Sequence, residues 1–285
     1  MEKGDKIKSG KYNYIVTGDT TVAFNGIVSN KTTKITIPET ITYEGIKFKV
    51  TSIADNALKG KSKVTSVTIS KNISKIGKNA FSGCKKLKTI TVNTEKLTKL
   101  GSNALKGIYS KATMKVPTKK YSAYQKLFKD KGQGKNISIV ILAKKGDTLT
   151  VGNNKYKIVG SSSVEFTGLK STKKTEVVIP KNVSYGGKTF KVTHIGKQAL
   201  KGNKKVKKVS IGESVKEIGA HAFYGCKNLK TITIKSTKLE KIGKQAFKNI
   251  NAKASIKIPT KKEKDYQKLL KNKGQGSKVK IVKIK

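Results

Sequence analysis

The chain contains no arginine and no tryptophan. Without the planar guanidinium fork, bidentate reading of a phosphate or a guanine edge is excluded, so positive charge must act as flexible ammonium points. Without tryptophan, and with aromatics at 6% of residues, indole platforms for glycans and extended base-stacking surfaces are disfavoured. Only two cysteines are present, Cys84 and Cys226, which excludes a disulfide framework and a zinc cluster. No apolar run approaches the ~18 residues of a membrane span, so no membrane insertion is expected. The opening Met1-Glu2-Lys3-Gly4-Asp5 lacks the apolar stretch of a secretory signal, which fits either a cytosolic chain or a mature fragment. Acidic residues are scarce: 16 against 64 basic residues, all lysine, for a formal net charge of +48. Such a charge attracts polyanions over about 10 Å at 0.1 M salt, diffusely and with little discrimination.

What is present is order. Low hydrophobicity with high net charge is the signature of disorder, yet apolar residues here recur at fixed spacings, and 285 residues suffice for two domains with their own cores. The longest repeat has a period of 142, the distance from Gly26 to Gly168. Ile37, Pro38, Tyr43, Gly45 and Phe48 return as Ile179, Pro180, Tyr185, Gly187 and Phe190; Gly77, Ala80, Phe81, Gly83 and Cys84 return as Gly219, Ala222, Phe223, Gly225 and Cys226. The copies therefore divide into domains 1–143 and 144–285. Within each copy runs a shorter period: Ile53, Ile76 and Leu100 are spaced by 23 and 24, as are Leu58, Phe81 and Leu105. That lies within the range of leucine-rich repeats, whose coils must stack because one coil cannot bury its apolar edge alone.

One unit reads directly. In Leu87 to Val92, isoleucine and valine alternate with threonine, a half-buried strand. Leu97 and Leu100 begin the return path, Gly101 permits a turn, and Ala104 and Leu105 fill the far side of the core. Related strands are expected at Val64–Ile69, Val206–Ile211 and Leu229–Ile234, with weaker coils at Ile35–Ile37, Met114–Val116, Val177–Ile179 and Ile256–Ile258. The ends of each copy must cap the stack. Tyr14 to Gly26 reads as a β-hairpin with Gly18-Asp19 at its turn. After Pro117 a short helix is expected, with Tyr124, Leu127 and Phe128 on one face, matched by Tyr266, Leu269 and Leu270. Thr118 and Thr260 are the expected N-caps, and Thr260 with Glu263 fits a capping box. A strand, Ile137 to Leu142, follows. The expected fold class is thus a leucine-rich-repeat solenoid, a β-rich α/β right-handed superhelix in two tandem copies, each with a hairpin N-cap and a helix-plus-strand C-cap.

The phrases Ile76-Gly77-Lys78-Asn79-Ala80-Phe81-Ser82-Gly83-Cys84-Lys85-Lys86-Leu87 and Ile218-Gly219-Ala220-His221-Ala222-Phe223-Tyr224-Gly225-Cys226-Lys227-Asn228-Leu229 resemble the BspA-like leucine-rich repeats of bacterial surface proteins, I-G-x-x-A-F-x-x-C-x-x-L. The resemblance covers about half of each domain. It implies an extracellular or cell-surface protein used in adhesion or interaction, without a general active site.

The candidate chemistry is sparse. Cys84 and Cys226 occupy equivalent rungs, where a free cysteine serves as a small buried hydrophobe. His194 and His221, the only histidines, lack the cysteine or carboxylate cluster that a metal would need and are expected to be exposed or loosely packed. Of the carboxylates, only Asp5 is matched across the duplication, by Asp147, at a turn. No Ser-His-Asp order and no phosphate-binding glycine loop occurs, so no enzyme, cofactor or metal is expected. With Val67, Ile69, Ile90 and Val92 inward, period two turns Ser66, Thr68, Thr89 and Thr91 outward, and Lys115 with them. The second copy supplies Lys208, Ser210, Thr231, Thr233, Lys235 and Lys257. The simplest reading is that threonine favours strands and lysine keeps an open sheet soluble. The functional reading is a ligand face for a host or bacterial surface protein, or for an anionic polysaccharide or cell-wall polymer, on a monomeric solenoid. Charge alone also allows non-specific nucleic-acid binding, steeply salt-dependent, and a structural spacer with no specific ligand remains the third reading.

Overall fold

The structure is a computed structural model and describes residues 1–284. Its internal contacts divide the chain into Met1–Leu142 and Ala143–Lys285. Each unit carries one seven-stranded and one five-stranded sheet.

The five-stranded sheet of the first unit runs Lys34–Thr36, Ser66–Ile69, Thr89–Val92, Thr113–Val116 and Ser138–Ile141, all parallel and in register. Val67 faces Ile90 and Ile90 faces Met114 across neighbouring strands. The alternation of hydroxyl and β-branched residues explains both the strands and their register, since a one-residue slip would turn every core side chain to water. The return path, read from the sequence only as a turn, carries a second parallel ladder: Thr21–Ile27, Ile46–Ile53, Lys75–Ile76 and Lys99–Leu100. Its last two strands have two residues each, too short for any alternation to register.

Between the sheets lies a continuous core of Val67, Ile69, Ile76, Phe81, Leu87, Ile90, Val92 and Leu105, each at most 1% exposed. Burying one such side chain is worth roughly 1.5–3 kcal/mol. The turns also stack. Asn56, Leu58 and Gly60 donate to the carbonyls of Lys78, Ala80 and Ser82 in the next coil, and Asn79, Phe81 and Gly83 to those of Ser102, Ala104 and Lys106. The loop backbone is thereby satisfied without belonging to a sheet.

Gly101 is required for a different reason than a turn. A Cβ there would lie 2.5 Å from the backbone carbonyl carbon of Gly77 in the preceding coil. Left-handed backbone falls instead two residues later, at Asn56, Asn79 and Asn103 in the first unit and at Gln198, His221 and Gln245 in the second, with φ between 54° and 61°.

The N-terminal cap is larger than a hairpin. Lys6–Ser9 joins Tyr12–Gly18 and Thr21–Ile27 in an antiparallel meander, and Thr40–Tyr43 folds back antiparallel on Ile46–Ile53. At the other end stands the expected helix, α1 (Tyr121–Phe128), with α2 (Glu263–Leu270) in the second unit. Tyr124 and Phe128, and Tyr266 and Leu270, are buried. The expected N-caps are corrected. Thr118 and Thr260 each open a short 3-10 turn after Pro117 or Pro259, and the residues at the N-cap positions of α1 and α2 are Lys120 and Lys262. The Thr260 hydroxyl donates to the Ile284 carbonyl and Glu263 pairs with Lys283 at 3.0 Å, so the capping box is not formed. Both side chains are taken by the neighbouring C-terminal segment. In the first unit, Ser138–Ile141 completes the sheet by pairing with Thr113–Val116.

The second unit repeats this plan. Glu176–Ile179, Lys208–Ile211, Thr231–Ile234, Ser255–Ile258 and Lys280–Lys283 form its five-stranded sheet.

Candidate functional site

The outward residues of the five-stranded sheets form two rows per unit. In the first, Lys34, Ser66, Thr89, Thr113 and Ser138 stand in register, as do Thr36, Thr68, Thr91 and Lys115, followed by Val140. In the second, the rows are Glu176, Lys208, Thr231, Ser255 and Lys280, then Val178, Ser210, Thr233, Lys257 and Val282. Neighbours within a row are spaced by about 4.8 Å, the strand separation. The hydroxyl residues Ser66, Thr68, Thr89, Thr91, Ser210, Thr231 and Thr233 are half-buried, whereas Lys115, Lys208, Lys235 and Lys257 are exposed. Lys235 follows Ile234 and donates its N–H to the Ile211 carbonyl, one step beyond the strand.

The register adds residues that the sequence reading omitted: Thr113, whose hydroxyl lies 3.1 Å from that of Ser138, and Ser255, Lys34 and Thr36. The same parity rule, carried onto the weaker coils, would have found them. It also adds Glu176, paired with Lys208 at 2.9 Å, and Val178, 62% exposed. The second rows thus begin with an acid and an apolar residue rather than continuing the hydroxyl ladder.

The ion pairs between coils keep their positions but not their polarity. Glu39 meets Lys71 at 3.6 Å in the first unit, and at the matching positions Lys181 meets Glu213 at 2.9 Å in the second. The Lys181 ammonium, by hydrogen bond and charge, holds the Glu213 carboxyl below the usual carboxylate range. All four side chains are exposed, so each pair is worth at most about 1 kcal/mol.

Both cysteines are free and fully buried. Their thiols donate to the Leu58 and Leu200 carbonyls at 3.1 and 2.9 Å. Burial pushes each up to about 11, which makes them inert at neutral pH. Asp5 and Asp147 accept from the backbone N–H groups of Glu2 and Lys144 in matching turns.

Neither histidine is loose. His221 sits at the left-handed turn position, its Nε2 3.0 Å from Gln245 Oε1 and its ring against Tyr224. His194 Nδ1 lies 2.8 Å from the Thr193 hydroxyl. His194 also stands in register between Glu165 and Glu217, a neighbourhood of carboxylates that the linear sequence hides. Among the described residues no group of three or more ligating side chains is placed to hold a metal ion, and no helix is long and apolar enough to cross a membrane.

Stacked coils of 23 to 24 residues, a parallel sheet per unit and capped ends define a leucine-rich-repeat solenoid. The family described as BspA type leucine rich repeat region, in 6 copies, matches residues 51–185 and 162–283. The chain belongs to that family. Among solved structures, a leucine-rich repeat protein from Bacteroides capillosus ATCC 29799 is 23% identical over 48% of this chain and 99% of its own, with a TM-score of 0.40. A leucine rich cell surface protein from Faecalibacterium prausnitzii A2-165 is 15% identical over 98% of this chain and 95% of its own, TM-score 0.30. The pneumococcal vaccine antigen PcpA is 14% identical over the whole of both chains, TM-score 0.28. Comparison with curated proteins gave no match. Family membership rests on the repeat match.

Proposed function

We propose that the chain is a non-catalytic, cell-surface interaction module that binds a protein or an anionic polymer through the outward rows of its five-stranded sheets. Leucine-rich-repeat proteins of this family are generally non-catalytic, and membership of the family supports the surface location. The observation that carries the reading is the set of in-register rows, in which runs of hydroxyls at one strand's spacing are flanked by exposed lysines, on sheets whose central strands turn their other face into the core. Small hydroxyls let a partner approach closely, and the lysines around them supply attraction without dictating geometry.

The test is an array of glycans and matrix proteins, run at about 0.15 M and 0.5 M salt. Signals that survive the higher salt report contacts beyond charge. A face variant carrying Thr68→Glu, Thr91→Glu, Ser210→Glu and Thr233→Glu is expected to lose them. Retention by that variant would place the binding surface elsewhere. Signals confined to low salt, with DNA among the best ligands, would favour the non-specific polyanion reading. An array silent at both salts would favour the spacer.

A further inference from the structure

In each unit the N-terminal cap does not fill the space in front of the first coil. In the second unit this leaves a cavity of about 480 Å³ between the end of the Ser163–Leu169 strand and the turn at Lys201–Lys205. The first unit has a cavity of about 290 Å³ at the corresponding place, beside Lys59–Lys63. Both open against a left-handed glycine, Gly202 or Gly60, where an added Cβ would meet nothing within 4 Å. In the following coil the same column is closed, with a Cβ on Gly225 touching Gly202 at 3.7 Å. The cavity is the place that a preceding coil would have filled.

Its lining is one-sided in charge. Lys155, Lys201, Lys204 and Lys205 border it, and no carboxylate does. Among the described residues none of these four lysines makes an ion pair. Asn203, on the same wall, is only 8% exposed. Its Oδ1 accepts from the N–H groups of Lys205 and Val206 at 2.9 and 3.1 Å, which leaves its Nδ2 as a donor without a partner among the described residues. The first unit is poorer in each respect. Asn13 and Ser62 stand where the second has Lys155 and Lys204, and Lys61, in place of Asn203, is held by Asn30 at 2.7 Å.

Four lysines without an ion pair, one of them (Lys201) also over the Tyr224 ring at 5.6 Å, stand around the amide donor of Asn203 with no carboxylate in the lining, and such a lining is matched by a compact oxyanion. We propose that the cavity of the second unit binds a phosphate or sulfate ester group carried on an anionic polymer. None of the outward row residues lines it, so this site is independent of the sheet face.

Fluorescence anisotropy of the full chain, with a labelled short polyphosphate and a labelled heparin tetrasaccharide at about 0.15 M salt, tests this. Lys155→Asn with Lys204→Ser installs the first unit's own residues and so preserves the fold. Asn203→Asp keeps the Oδ1 contacts and replaces the donor by a carboxylate. Each is expected to weaken binding roughly tenfold. Matched charge changes at the C-terminal cap, Lys264→Ser with Lys278→Asn and Asn272→Asp, likewise install first-unit residues and are expected to change binding less than about twofold. Whichever probe binds identifies the oxyanion as phosphate or sulfate. Equal weakening by the cavity and cap variants, or no binding of either probe, overturns the proposal.

Discussion

At the scale of the residue, the glycine of the Ile-Gly motif is decided by its neighbour in the preceding coil. A Cβ on Gly219 would lie 2.6 Å from the Lys197 backbone nitrogen and 2.7 Å from the Gly196 carbonyl carbon. Backbone cannot move aside without unstacking the coil, so Gly219→Ala is expected to cost about 3 kcal/mol. Gly60 has positive φ but open space, and Gly60→Ala should cost only about 1 to 2 kcal/mol. Urea unfolding of the two variants separates crowding from backbone strain. The cysteines give a second prediction. Their folded thiols titrate near 11, against an ordinary 9.0. The unfolded chain therefore releases these protons first. Their contribution to stability is fully present below pH 9 and is lost as pH rises through 11. The stability difference between the wild type and a Cys84→Ala, Cys226→Ala double variant should shrink between pH 8 and pH 10.5. A difference independent of pH would contradict it. At this scale the sequence was legible for Cys84 and Cys226, whose burial follows from position within the motif. It was misleading for Gly101, because crowding by another coil leaves no mark in the linear chain.

At the scale of the element, the cap helices are tied down by one hydroxyl each. Tyr266 Oη donates to the Ser236 carbonyl at 2.9 Å and accepts from the Leu239 N–H at 2.8 Å. Tyr124 does the same with Thr94 and Leu97. Tyr266→Phe keeps the ring but leaves a buried N–H and a buried C=O unpaired, an expected cost of about 1 to 3 kcal/mol. Hydrogen exchange should show the Leu239 amide losing protection while the Ile232 amide, in the middle of the sheet, keeps it. Unchanged protection at Leu239 would mean that the hydroxyl does not anchor the cap. The apolar stripe of these helices could be read from the sequence. Their starts could not, since Thr260 and Glu263 present a capping pattern whose two members are drawn away by Ile284 and Lys283.

At the scale of the whole molecule, the dominant fact is a net charge of +48. Of the 64 lysines only seven form ion pairs among the described residues, so most of the charge repels itself in the compact state. Added salt screens that repulsion. The midpoint of thermal unfolding is therefore expected to rise between about 0.05 M and 0.5 M NaCl, by several degrees for a stabilisation of about 1 to 2 kcal/mol. A falling midpoint would mean that the exposed ion pairs outweigh the repulsion.

Periodicity by itself determined the duplication, the coil length, the inward and outward sides of the main strands and the burial of both cysteines, because each follows from which residues must leave water together. Tertiary structure decided the rest. It set the second ladder of two-residue strands, the row that brings His194 between two glutamates, the reversed ion pair and the lysine-lined space before the first coil. Each of these depends on which coil lies against which, and a chain position carries no record of its neighbour two dozen residues away until the coils are stacked.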